Sequence, residues 1–412
     1  MKRYLDDLIA ADLQRKLVFV TGPRQVGKTT LSQELQAASP PSVYLNYDIT
    51  DDRALIERQG WPADSRLLVL DELHKMVGWK PWLKGIIDGR PAGQAQLVTG
   101  SARMDTFRQA GDSLAGRYLS WRLHPISVKE WCDLAPRSKG EDAKVEHAKG
   151  VAGQAGETAP TPEQALAHLL TRGGFPEPCL FPATPLGDKN ALRWRAQYAN
   201  GLVREDILEF SRIQEVAAMR VLLDLLRERV GSPLSLSSIG RDLGISAPTV
   251  KRFIDILEAL YIVFTVQPWH HNIARSLMQA PKIYFYDTGM VNVPLDAGQP
   301  NMGARFENAV AAMLLKHTEF LQDSEAAPVG LHYLRNKDGG EIDFALSNGK
   351  ALTHLIECKW ADTAPHRAFK TFMPCWPQAQ AVQLVRHARN PEQHASGLRI
   401  EPAAGWLAKL AA

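Results

Sequence analysis

Gly22-Pro23-Arg24-Gln25-Val26-Gly27-Lys28-Thr29-Thr30 sets two glycines five positions apart and follows them at once with a lysine and hydroxyls. This spacing suits a loop wrapped around phosphates. The glycines let backbone N–H groups turn inward, and a helix opening at Lys28 adds its positive N-terminal end. Lys28 would reach the β- and γ-phosphates, and the Thr29 hydroxyl would ligate Mg²⁺. Arg66-Leu-Leu-Val-Leu70-Asp71-Glu72 supplies the complement, four apolar residues ending in an acidic pair. Asp71 would hold Mg²⁺ through water, and Glu72 would polarise an attacking water as general base. ATP and Mg²⁺ are the expected ligands, and hydrolysis the expected chemistry.

A second set of polar residues lies near the C-terminus. Glu341-Ile-Asp343-Phe344 precedes an apolar run that ends Leu355-Ile-Glu357-Cys-Lys359. A hairpin would bring Asp343 beside Glu357, and residues two apart in a strand share a face, which aligns Glu357 with Lys359. The pattern resembles the D…E-x-K arrangement of PD-(D/E)xK nucleases, with Glu307 in the accessory position. Such carboxylates would bind Mg²⁺ while Lys359 steadied water or phosphate. The same fold could instead only hold DNA, and Arg335 and Lys337 beside the hairpin are either phosphate contacts or a solvated turn.

Between the two sets, Leu234–Ser246 reads as a short amphipathic helix and a Gly-containing turn, and Pro248–Leu260 as a second helix. Val250, Ile254, Leu257 and Tyr261 make a buried stripe at helical spacing. Lys251 and Arg252 lie off that stripe, where they would meet a DNA groove; Asp255 and Glu258 would repel phosphate. Contacts to protein are the alternative use.

The elements that must position these residues alternate along the first third. Leu17–Val20, Val43–Asn46, Leu67–Leu70, Gln96–Thr99 and Tyr118–Leu123 read as strands separated by helical stretches, the mark of a parallel α/β sheet buried on both faces. Trp79 and Trp82 read as core. Residues 136–162 contain no Phe, Tyr or Trp and read as a flexible insertion. The expected divisions are 1–135, a P-loop ATPase core; 163–230, a helical lid; 231–297, a winged helix; and 298–412, a nuclease-like domain.

With 45% hydrophobic and 23% charged residues, the composition excludes collagen-like and wholly disordered chains. A net charge of +3 leaves DNA binding to local patches. The four cysteines are far apart, with no C-x-x-C pair, which argues against a zinc site or a disulfide framework. The opening residues lack the apolar core of a signal peptide and no apolar run is long enough to span a bilayer, so a cytoplasmic protein without a membrane partner is expected.

GPRQVGKTTL, LLVLDELHK, LVTGSA, SLAGR and GGFPEP, in this order, resemble the AAA+ ATPases of bacteria and archaea that carry a C-terminal domain of unknown function. The resemblance implies a core sheet in the order 5-1-4-3-2, a helical lid, a winged helix and a restriction-endonuclease-like tail. It implies a water-positioning polar residue after the fourth strand, Ser101 before Thr99, and an arginine finger at Arg117 aimed at a neighbouring subunit; Arg117 as a helix cap is the alternative. Arg204, before Glu205-Asp206, is the candidate for the lid's sensor arginine. The leading expectation is ATP-driven translocation or remodelling of duplex or branched DNA, such as branch migration, by a homo-oligomer, most simply a hexamer. The alternatives are a nucleotide-switched regulator with a protein partner and an ATP-gated, Mg²⁺-dependent nuclease.

Overall fold

Leu17–Thr21 (β1), Leu67–Asp71 (β3) and Ala95–Thr99 (β4) are apolar, almost wholly buried runs. Short segments of this kind suit the inside of a parallel sheet, where both faces are covered. With Ser42–Asn46 (β2) and Tyr118–Arg122 (β5) they form a five-stranded sheet in the order β2-β3-β4-β1-β5. Every pairing is parallel, and the order matches the expected 5-1-4-3-2. One face packs Phe19, Leu68, Leu70 and Val98 against Trp79, Leu83 and Ile86 of the helix Trp79–Asp88, with Trp82 partly buried beside them. The two tryptophans are core residues.

The structure is a computed structural model and describes residues 1–100, 114, 116–133, 160–201, 213–270, 280–292 and 301–412. These residues form two units, 1–124 with Ala259–Tyr261, and Pro125–Glu258 with Ile262–Ala412. Ser101, Arg204 and nearly all of the expected insertion lie outside the described residues. A helix begins at Pro162 with a capping box between Thr161 and Gln164.

The second unit opens with helices Pro162–Arg172, Pro176–Leu180, Pro185–Gly201 and Ile213–Glu228. Helices Leu236–Leu243 and Ala247–Ala259 follow. Gly244 closes the first of this pair in the left-handed region at φ 67°, which a side chain would strain. Val250, Phe253, Ile254 and Leu257 face inward and Lys251, Arg252 and Asp255 face solvent.

Val263–Pro268 (β6) and Lys282–Phe285 (β7) form an antiparallel pair. They do not stand apart from the tail. β6 runs parallel to Val329–Arg335 (β8), so an eight-stranded sheet continues across the expected division at 297/298. Glu341–Asn348 (β9), Ala351–Lys359 (β10), Gln380–Val385 (β11), Glu392–Gln393 (β12) and Arg399–Pro402 (β13) complete it in the order β12-β13-β11-β10-β9-β8-β6-β7. The helix Met302–Glu325 buries Phe306, Val310 and Leu314.

Candidate active site and a carboxylate nest

The phosphate loop leaves the C-terminal end of β1 and enters the helix Lys28–Ala37. Gly22 is forced by packing: a Cβ there would stand 2.3 Å from the Leu123 carbonyl oxygen, at φ 148°. Gly27 caps the helix at φ 102°, and Gln25 takes φ 60° despite its side chain. Val26 is fully buried, and Arg3 braces the loop from behind by donating to the Val26 carbonyl at 2.7 Å and the His124 carbonyl at 2.6 Å. Pro23 is buried and Arg24 half-buried, while Thr29 and Thr30 face solvent. The Lys28 ammonium donates to the carbonyls of Gly22 (2.9 Å) and Pro23 (2.7 Å), folded across the loop it would leave for phosphate.

Asp71 ends β3 beside this loop. Its Oδ2 accepts from Thr29 Oγ1 at 2.9 Å and from Tyr44 Oη at 2.5 Å, and its Oδ1 accepts from Thr99 Oγ1. Thr99 lies directly opposite in the parallel register. Thr99, one of the two polar candidates at the end of β4, thus touches the acidic motif, and Ser101 is outside the described residues. The cradle at Gly22, the Thr29 hydroxyl and the Asp71 carboxylate 2.9 Å from it form a donor set that fits Mg²⁺ with a nucleoside triphosphate. Bound there, Mg²⁺ would neutralise charge on the β- and γ-oxygens; Lys28 would bind phosphate and Asp71 would orient the ion's water.

Glu72 sits at φ 56°, a strained position for a side chain, held because its N–H donates to the Thr99 carbonyl and to Asp71 Oδ1. Burial pushes its carboxyl above the ordinary carboxylate range; Lys28 opposes this and the Asp71 charge adds to it. His74 Nε2 lies 3.6 Å and Lys75 Nζ 3.8 Å from Glu72 Oε2. A raised pKa makes the ionised carboxylate a stronger proton acceptor than an ordinary surface carboxylate. Tyr44 was not foreseen, nor was Asn46, whose Nδ2 lies 3.5 Å from the same Asp71 Oδ2. Their one sequence cue is position: they sit at the carboxyl end of β2, where parallel sheets gather ligand-facing residues.

The tail brings its expected residues together. The antiparallel register of Phe344 with Ile356 places Asp343 beside Glu357, whose Oε2 accepts the Asp343 N–H at 3.3 Å. Lys359 Nζ donates to Glu357 Oε1 at 2.7 Å, and His366 Nδ1 stands 3.1 Å from the same oxygen. Glu307 joins from the helix Met302–Glu325 and accepts from Tyr284 Oη at 2.7 Å. The unforeseen member is Lys282 of β7. Its ammonium is 2.7 Å from Glu341 Oε1, 3.4 Å from Glu307 Oε1 and 3.5 Å from Asp343 Oδ1, with the side chain 1% exposed. A lysine opening the apolar run Ile283-Tyr-Phe-Tyr286 was the available cue, because a lysine at the start of a buried strand needs a buried partner. Burial opposes its charge, but Glu307, Asp343 and Glu341 outweigh that and hold it protonated. Burial and the Asp343 charge push the Glu307 and Glu357 carboxyls upward.

The basic candidates elsewhere are mostly paired. Lys251 bonds Asp255 one turn along its helix, and Arg252 lies over the Phe253 ring, 5.3 Å from its centroid. Arg335 donates to Glu341 at 3.0 Å, and Lys337 is exposed in the β8–β9 turn. Glu258, which would have opposed phosphate, instead accepts from Thr265 Oγ1 at 2.7 Å and is turned toward the hairpin.

Residues 14–132 match the AAA domain family. Residues 163–301 and 302–399 match two domains of unknown function, DUF8612 and DUF4143. Uncharacterized proteins of Mycobacterium tuberculosis and Mycobacterium bovis are each 27% identical over 348 residues, covering 81% of this chain and 69% of theirs. An uncharacterized protein of Haemophilus influenzae is 21% identical over 338 residues, covering 76% of this chain and 78% of its own. Thermotoga maritima RuvB is 16% identical and covers 63% of this chain and 88% of its own, at a TM-score of 0.29, too low for substrate or assembly to transfer. No helix among the described residues is long and apolar enough to cross a membrane. The AAA match over residues 14–132, with the phosphate loop and acidic pair inside it, supports nucleotide binding and hydrolysis by an AAA-type ATPase module.

Proposed function

We propose that this chain is an ATPase that acts on DNA, coupling hydrolysis to translocation or remodelling of duplex or branched DNA as a homo-oligomer, most simply a hexamer. Glu72 activates water, Lys28 and Thr29 hold the Mg²⁺-bound nucleotide, and Arg117 completes the site of a neighbouring subunit. The domain reading that goes with this is an ATPase core over 1–135, a lid over 163–230, a winged helix over 231–297 and a nuclease-like tail over 298–412.

The observation that carries the ATPase is the Thr29–Asp71–Glu72 arrangement at the phosphate loop. What supports DNA as the substrate is the pair of helices around Gly244, followed by the β6–β7 hairpin, with Lys251 and Arg252 on the solvent face. ATP turnover measured with no DNA and with single-stranded, duplex and four-way DNA, at fixed salt, tests the reading. Stimulation by one form supports it, and Lys251→Ala and Arg252→Ala should each lower the salt slope of binding by about one. Turnover indifferent to every DNA refutes it.

One observation favours a second reading. Asp255 neutralises Lys251 and Glu341 neutralises Arg335, so two of the basic candidates present no net charge. In a nucleotide-switched regulator the same helices would dock on a protein partner, and turnover would respond to that partner and not to DNA.

A further inference from the structure

The nuclease-like arrangement in the tail implies a divalent ion between Asp343, Glu357 and Glu307. The donors in this chain do not fit one. Asp343 Oδ1 faces the Lys282 ammonium and its Oδ2 accepts the Cys358 N–H at 2.9 Å. Glu357 Oε1 accepts from Lys359 and its Oε2 from the Asp343 amide. Glu341 Oε1 meets Lys282 and its Oε2 meets Arg335. Glu307 Oε1 takes both the Tyr284 hydroxyl and Lys282. Among the described residues no group of three His, Cys, Asp or Glu side chains is arranged to hold a metal ion.

We infer that Lys282 is the resident cation of this nest, and that the tail keeps its carboxylates together without a divalent ion. Mg²⁺ requires oxygens at about 2.0–2.1 Å in near-octahedral geometry and retains several waters. An ion so placed against Asp343 and Glu307 would share their oxygens with an ammonium already 3.4–3.5 Å away. Two positive groups would then face each other in a poorly screened interior.

Lys282 has no easy exit. Its backbone is paired on both sides, with Val266 in β6 and with Pro233. Its ammonium lies 5.5 Å from the centre of the Tyr333 ring. The ammonium joins three separate elements: β7, the helix Met302–Glu325 through Glu307, and β9 through Glu341 and Asp343. The nest therefore works as a clasp. It fixes the hairpin that follows the two-helix segment onto the tail sheet, where a cutting centre would need an open cation position.

The test is Mn²⁺ binding by the nucleotide-free full chain, read by electron paramagnetic resonance, with folding of each variant checked by thermal melting. Wild type and Asp343→Asn should give the same isotherm, because the tail of the wild type takes no ion. Lys282→Met should add one Mn²⁺ site that wild type lacks, and Lys282→Met/Asp343→Asn should lose it. A folded Lys282→Met without an added site would overturn the inference. So would Mn²⁺ binding, or Mn²⁺-dependent nicking of plasmid DNA, that wild type shows and Asp343→Asn lacks. If Lys282→Met does not fold, the comparison of wild type with Asp343→Asn still decides.

Discussion

Arg117 forks onto Asp88: its Nε lies 2.9 Å from Oδ1 and its Nη2 3.4 Å from Oδ2, at the surface. Asp88 is the last residue of the helix Trp79–Asp88, and Arg117 immediately precedes β5. The register sets Tyr118 against Leu17, at the entry end of β1, whereas the phosphate loop leaves the exit end after Thr21. Four residues of strand separate these ends, roughly 13 Å at 3.3 Å per residue. An arginine bent back onto Asp88 does not cover that distance to its own nucleotide.

The proposed trans role for Arg117 makes a prediction that a surface ion pair to Asp88 alone does not. Arg117→Ala should retain ATP binding and lose turnover by roughly 10³-fold, the lower range for such fingers. Mixing it with Lys28→Ala subunits should restore part of the activity, because some interfaces regain one finger and one intact pocket. Asp88→Asn should free the guanidinium and raise turnover by up to roughly fivefold, the scale of a surface ion pair. Absence of complementation, with full activity in a monomer, would remove the trans assignment.

Glu72 offers a test with a pH signature. Glu72→Gln should bind nucleotide as the wild type does and hydrolyse it roughly 10²–10⁴-fold more slowly. The base must be ionised to accept a proton, and burial raises its pKa. The acid limb of the wild-type kcat profile should therefore lie above the ordinary carboxylate range near 4.3, with turnover rising as pH rises through it. If that limb persists in Glu72→Gln, the group being titrated is not Glu72.

Thr99 and Tyr44 bear on the same centre. Each donates to Asp71, one to each oxygen. Thr99→Val should impair turnover more than nucleotide affinity, because it removes a donor that orients the carboxylate and leaves the phosphate loop untouched. Tyr44→Phe should do the same. Equal loss of affinity and turnover, read from a KM-against-kcat split, would make them structural supports of the pocket.

The phosphate loop, the acidic pair and the sheet order were legible because each is written locally: glycine spacing, apolar run length and the polar residues at strand ends. The pairing of Asp343, Glu357 and Lys359 was legible too, since strand periodicity and one hairpin determine it. Lys282 was not. It comes from a strand 61 positions before Asp343, on an element that the sequence assigns to a different domain. Only tertiary packing brings it to the carboxylates, and no local spacing encodes that. Arg117 was readable as a finger or a cap; its surface pairing with Asp88 depends on where the helix Trp79–Asp88 ends against β5, which the pattern of either segment alone leaves open.

The glycines of GGFPEP now have a physical reason. A Cβ on Gly173, at φ 79°, would stand 2.3 Å from Asp287 Oδ2, and one on Gly174 would stand 2.6 Å from the Ile126 carbonyl oxygen. Asp287 follows β7 and is 2% exposed, with its Oδ1 accepting the Gly174 N–H. Gly173→Ala combines a left-handed backbone with a clash against this carboxylate, so it should destabilise the second unit by roughly 2–4 kcal/mol. A thermal melt unchanged by Gly173→Ala would mean that Asp287 moves aside freely.

Asp287 also gives the chain a pH-dependent stability term of definite sign. Burial raises its pKa to about 6, against the N–H groups of Gly174, Gly289 and Phe175 and the charge of Arg195, which lower it. Unfolded, the carboxyl returns to about 3.9. Between these values the folded chain binds more protons than the unfolded one, so its stability falls as pH rises. The favourable contribution is complete below about pH 4, declines through pH 6, and is constant above. Across that window the stability of wild type minus that of Asp287→Asn should drop by on the order of 2–3 kcal/mol, measured by denaturant unfolding at each pH. The difference isolates this carboxyl from all other titrating groups, which both proteins share. A flat difference from pH 4 to pH 7 would show that the Gly174 N–H and Arg195 compensate the burial of Asp287 in full and keep it an ordinary ionised carboxylate.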